Sequence, residues 1–151
     1  MKNFIFIFIL SFSATFSVFS QSAEKLSDVL ASEKVTLGQL SYLAGTCGLG
    51  LPDETDYSTA FEKIKEQNLL PKSVIKDASE GDVATISQAA YLFMKSTNLS
   101  GGVMYKLTNA KRYAFKEVKA RGILPPNADP NSTLDGHDAF AILNGCLSQS
   151  K

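Results

Sequence analysis

The chain of 151 residues has no tryptophan, a single histidine, two cysteines and no excess of either charge. With 15 basic against 15 acidic groups, nothing in the overall charge calls for a nucleic-acid partner. The lone His137, between Asp135 and Asp138, cannot supply a histidine pair for a metal, and it reads as a surface group near a helix start. Neither G-x-S-x-G nor H-E-x-x-H occurs. Asp129-Pro130-Asn131-Ser132-Thr133 begins like a calcium loop, but Leu134 and Phe140 stand where that loop needs Gly and Glu. The sequence therefore predicts no enzyme, no cofactor and no metal site.

Long apolar runs are scarce too. Phe4 to Phe19 is the nearest to one, yet Ser and Thr interrupt it and it falls short of the ~20 residues that cross a bilayer. Coming after Lys2 and ending in Val18-Phe19-Ser20, it has the charged start, apolar centre and small-residue end of a secretory signal peptide. The expected organisation is a signal peptide over 1–20, an N-terminal segment with a short helix over 21–34, and an all-α repeat domain over 35–151. Such a protein is exported, periplasmic or cell-surface associated, and has no stable membrane span after cleavage.

Export sets how the cysteines are read. An even count in an oxidising compartment favours a disulfide between Cys47 and Cys146, with two free thiols as the alternative. A bridge closing 99 residues (146 − 47) would stabilise the fold by roughly 4–5 kcal/mol in the chain-entropy treatment.

What the chain does have is internal repetition. Ala60 to Pro71, AFEKIKEQNLLP, returns as Ala114 to Pro125, AFKEVKARGILP, shifted by 54 (114 − 60). In each copy Ala, Phe and Ile or Val form an apolar stripe at helical spacing while the charged residues face water. Between the copies lies a second signal. Thr36 with Gln39 and Thr85 with Gln88 have the Thr-x-x-Gln spacing of a capping box, and each opens a run of apolar residues. Thr133 starts a third such segment ahead of Ala139, Phe140, Ile142, Leu143 and Cys146. Thr36 to Ala60 spans 24 positions and Thr85 to Ala114 spans 29, so the second connection is five residues longer (29 − 24).

The charge is uneven along the chain. Residues 21–101 carry 7 basic and 11 acidic groups, whereas 102–151 carry 7 and 4. The basic excess gathers at Lys106, Lys111, Arg112, Lys116, Lys119 and Arg121, beside the longer connection. Tyr105, Lys106, Lys111, Arg112, Tyr113, Lys116 and Lys119 are therefore the candidate ligand-binding residues, facing an anion.

Three Thr-begun helices alternating with A-x-x-x-I/V helices that end in Leu-Pro, followed by the link PPNADPNSTL, resemble the S-layer homology domain family over most of Val35 to Leu147. The resemblance implies an all-α pseudo-repeat of helix-loop-helix units, with the Thr-begun helices about a common axis, and attachment to cell-wall polysaccharide. The family's Thr-Arg-Ala-Glu tetrapeptide reads here Thr36-Leu37-Gly38-Gln39, Thr85-Ile86-Ser87-Gln88 and Thr133-Leu134-Asp135-Gly136. Its tryptophan is absent, with Tyr57 and Tyr113 as the nearest substitutes. The expected function is a non-enzymatic envelope module whose partner is an anionic wall or envelope glycan. The alternative is a structural module docking an envelope protein without a glycan.

Overall fold

The computed structural model describes residues 23–150, so the predicted signal peptide and its cleavage after Ser20 lie outside the described residues. Over that range the chain is all-α, as expected. Its helices are α1 (23–31), α2 (Leu37–Leu49), α3 (Tyr57–Glu66), α4 (Lys72–Ile75), α5 (Ile86–Ser96), α6 (Val103–Thr108), α7 (Lys111–Ala120) and α8 (Gly136–Gln149).

The apolar pattern decides which helices are central. α2 buries every residue from Leu37 to Gly45, and α5 buries nearly all from Ile86 to Met94. Helices apolar on all sides must be surrounded. α2, α5 and α8 touch one another pairwise and form the interior, α3 lies on α2, and α7 lies on α5. The outer helices bury only one stripe each: Ala60, Phe61 and Ile64 in α3, and Ala114, Phe115 and Val118 in α7. Each fully buried Phe or Ile contributes about 1.5–3 kcal/mol.

Polar bonds then join the segments that precede the three central helices. First-turn amides of a helix have no partner within it and need an acceptor from elsewhere. Gly38 N–H donates to the Glu80 carbonyl (2.8 Å), Ser87 N–H to that of Pro130 (3.0 Å), and Gly136 N–H to that of Ser32 (2.9 Å). Each central helix is thus tied to the segment preceding another one. Isolated bridges pair Thr36 with Val83 and Thr85 with Thr133. The last tie brings α1 against α8, where Gly136 lies so close to the Val29 carbonyl and the Leu30 backbone that no side chain fits.

The first cap has the expected form: Thr36 Oγ1 accepts from Gln39 N–H, and Gln39 Oε1 accepts from Thr36 N–H (3.0 Å). In the second, Gln88 Oε1 accepts from both the amide and the hydroxyl of Thr85. The third differs from expectation. Asp135, not Thr133, caps α8, its carboxylate accepting from Asp138 N–H at 2.8 Å. Three places after Thr133 stands Gly136, which has no side chain to return a bond, so the helix starts two residues later. Asn68 (φ 54°) and Gly122 (φ 73°), at matching places in the two copies, end α3 and α7 in the left-handed conformation.

The expected disulfide is corrected: both thiols are free, with Cys47 exposed and Cys146 buried. The buried zone of α2 ends at Gly45, over which the Leu51 side chain folds. Cys47, in the turn beyond, faces solvent beside Thr46, while Cys146 packs inside α8.

Candidate functional site

The longer connection after α5 is where the cations gather, and its path explains their placement. α5 and α7 run the same way, since Arg121 at the end of α7 bonds Ser100 just after α5, while Lys111 and Arg112 share a cavity with Ser87 at the start of α5. The chain must therefore travel back between them, and α6 makes that return. Tyr105 pins α6 down: its ring is buried edge-on to Tyr91, centroids 6.3 Å apart and planes at 71°. Burial raises the Tyr105 hydroxyl above its ordinary pKa, and that hydroxyl has no hydrogen-bond partner. Tyr105 is thus a packing residue that also borders a cleft.

That cleft, of about 520 Å³, lies among the end of α5, the start of α6 and the end of α8. Lys95 and Lys106 stand on its walls with Asn98, Ser100, Gly101 and Gln149, and among the described residues no carboxylate lines it. Lys95 Nζ lies 5.8 Å from the Tyr91 ring centroid, which holds its stem against the wall. Behind the cleft the Arg121 guanidinium donates to the Ser100 carbonyl and, at 3.5 Å, to Gln149 Oε1. Its Nε is buried without a partner among the described residues. Beside it, burial pushes the Cys146 thiol up to about 12, against the opposing pull of Arg121.

The remaining cations are elsewhere. Lys111 and Arg112 border a separate cavity of about 390 Å³ with Ser87, Pro130 and Asn131. Lys116 Nζ sits 5.6 Å from the ring centroid of half-buried Tyr113. Lys119 is occupied structurally, its Nζ 5.6 Å from the Phe115 ring centroid and 3.4 Å from the Ala128 carbonyl. Lys65 covers Phe61 in the same way in the first copy, at 5.5 Å. The basic stripe is therefore divided into two clefts and a packing role. Lys95 escapes a sequence reading because it belongs to a central helix in the acidic part of the chain.

The connection between α2 and α3 has the opposite character. Exposed Asp53, Glu54 and Asp56 occupy it, and Lys25 of α1 donates to the carbonyls of Glu54 (2.6 Å) and Thr55 (2.9 Å). Tyr57, at the start of α3, has its hydroxyl 2.8 Å from Asp28 Oδ2. Burial and that carboxylate together raise its pKa. His137 is exposed in the first turn of α8. Among the described residues no His, Cys, Asp and Glu cluster could hold a metal, and no helix is long and apolar enough to cross a membrane.

No family model matches the chain, and neither a curated protein nor a solved structure matches it.

Proposed function

We propose that the protein is an exported, non-enzymatic envelope module that holds an anionic wall or envelope glycan in the cleft between α5, α6 and α8. The observation that carries this reading is the composition of the cleft: two ammonium groups, Lys95 and Lys106, with no side-chain carboxylate on its walls among the described residues. Asn98, Ser100 and Gln149 add the amide and hydroxyl groups that pair with sugar hydroxyls. A volume of about 520 Å³ lies within the range of ordinary ligand sites.

The architecture lends support. We read α1, α3 and α7 as three outer helices and α2, α5 and α8 as three central ones, arranged as a pseudo-repeat like that of S-layer homology domains. Matching burial of Phe61 and Phe115, matching Lys65 and Lys119, and the three bonds joining the central helix starts favour it. In that reading the charged pair missing from the Thr-begun tetrapeptides is replaced by Lys95 and Lys106 at the other end of the second unit.

The test is retention on purified envelope or wall glycan at low and high salt. Binding is expected to fall about tenfold in the Lys95→Ala/Lys106→Ala double variant and at high salt, and to be unchanged in Lys116→Ala. Binding that ignores both salt and the double substitution overturns the reading. Recovery of an envelope protein instead of glycan by crosslinking replaces it with the protein-docking role.

A further inference from the structure

We propose that the outward face of α6 docks this protein on an anionic phospholipid surface. In this six-residue helix Val103 is 72% exposed, Met104 49% and Leu107 76%, which makes it the most concentrated apolar exposure among the described residues. The exposure belongs to a fixed element. Tyr105 is buried beneath it against Tyr91, Lys106 N–H donates to the Gly102 carbonyl (3.0 Å), and Asn109 closes the helix at φ 48°.

The comparison within the chain shows that a return connection does not need such a surface. After α2, the same task is done by an acidic stretch whose one large apolar residue, Leu51, folds inward over Gly45. After α5, five extra residues (29 − 24) make a helix with its apolar side chains outward. From Asn98 to Lys116 there is no acidic residue, while Lys106, Lys111, Arg112 and Lys116 all fall in that stretch. The first carboxylate beyond it, Glu117, turns to Gly102.

Charge and size together select the occupant. A second copy of the chain meeting this face about a twofold axis would set cations against cations. Three side chains also fall well short of the ~800 Å² per partner of a stable protein interface. A lipid surface needs no matching relief: apolar side chains enter the headgroup boundary while the cations of the same connection, Lys106, Lys111 and Arg112, are free to meet anionic headgroups. Neither contribution alone holds a protein, so both salt and apolar substitution should release it. The inference goes beyond glycan binding and rests on Val103, Met104 and Leu107, none of which lines the glycan cleft.

The test is co-sedimentation of the protein purified in its exported form, without the apolar run from Phe4 to Phe19, with vesicles of phosphatidylglycerol and phosphatidylcholine in equal parts at low salt. Binding is expected, with a drop of about tenfold or more in Val103→Ser/Leu107→Ser, a comparable drop at high salt, and none to phosphatidylcholine alone. Both proteins share the same N-terminal segment, so the difference reads α6 alone, and matching helical circular dichroism shows that the variant is folded. Equal binding of parent and variant, or equal binding to neutral vesicles, overturns the proposal. A concentration-dependent dimer that the same double substitution abolishes also overturns it, in favour of self-association.

Discussion

Cys47 and Cys146 differ by where the bundle ends. Cys47 stands one turn past the last fully buried residues of α2 and meets solvent, whereas Cys146 has no exposed surface. A thiol reagent at neutral pH should therefore label one cysteine quickly in the native protein and the second only after denaturant is added. Cys47→Ser should remove the fast reaction, and a native protein with no reactive thiol would restore the disulfide. The buried thiol also makes stability depend on alkaline pH. Its pKa is pushed up to about 12 when folded, while an unfolded cysteine ionises near 8.5, so above that pH the unfolded chain releases a proton that the folded one keeps. This contribution is fully present below about 8.5 and is lost as pH rises toward the folded value. Denaturant titrations across that window should show a falling midpoint, and Cys146→Ala should lessen the fall between about pH 8.5 and 10, below the range where Tyr57 and Tyr105, whose pKa values are also raised, add to it.

At the scale of elements, the caps show how far a spacing rule reaches. Thr36 and Thr85 have Gln three places on, and their helices start where the rule says; Thr133 has Gly136 there, and α8 starts from Asp135 instead. Asp135→Ala should cost about 1 kcal/mol in urea unfolding, and Thr133→Ala less than half of that. The five longer helices α2, α3, α5, α7 and α8 were legible because each carries a cap or an apolar period long enough to count. α6 was legible only as a connection five residues longer than its counterpart, and α4 not at all, because four to six residues are too few to display a period. The disulfide was misread because an even cysteine count carries no information about direction on a helix. Half of the candidate cleft was legible: Lys106 lies in a basic connection, but Lys95 is brought beside it only by the packing of α6 back across α5.

At the scale of the molecule, the least legible piece is the one that closes it. Of Leu26, Val29 and Leu30, which share the helical spacing of an edge helix, only Val29 is buried. α1 is held largely by polar ties instead: the Ser32 carbonyl accepts from Gly136, Gln39 Nε2 donates to Asp28 (3.1 Å) and Ser32 Oγ (2.8 Å), and Tyr57 meets Asp28. These ties converge on a contact that only glycine allows. A Cβ on Gly136 would lie 2.0 Å from the Val29 carbonyl oxygen and 2.7 Å from Leu30 backbone atoms, none of which can rotate away. Gly136→Ala must therefore lift α1 from α8, with an expected loss of about 3 kcal/mol or more in denaturant unfolding. Gly81→Ala, whose Cβ meets nothing, should stay within about 0.5 kcal/mol of the parent. Limited proteolysis separates lifting from general weakening: if α1 is the closing element, the Gly136→Ala protein should be cut between α1 and α2 before any other connection. A variant that melts with the parent and keeps that connection protected would mean the three central helices hold together without α1, and that the tie between Ser32 and Gly136 is incidental to the bundle.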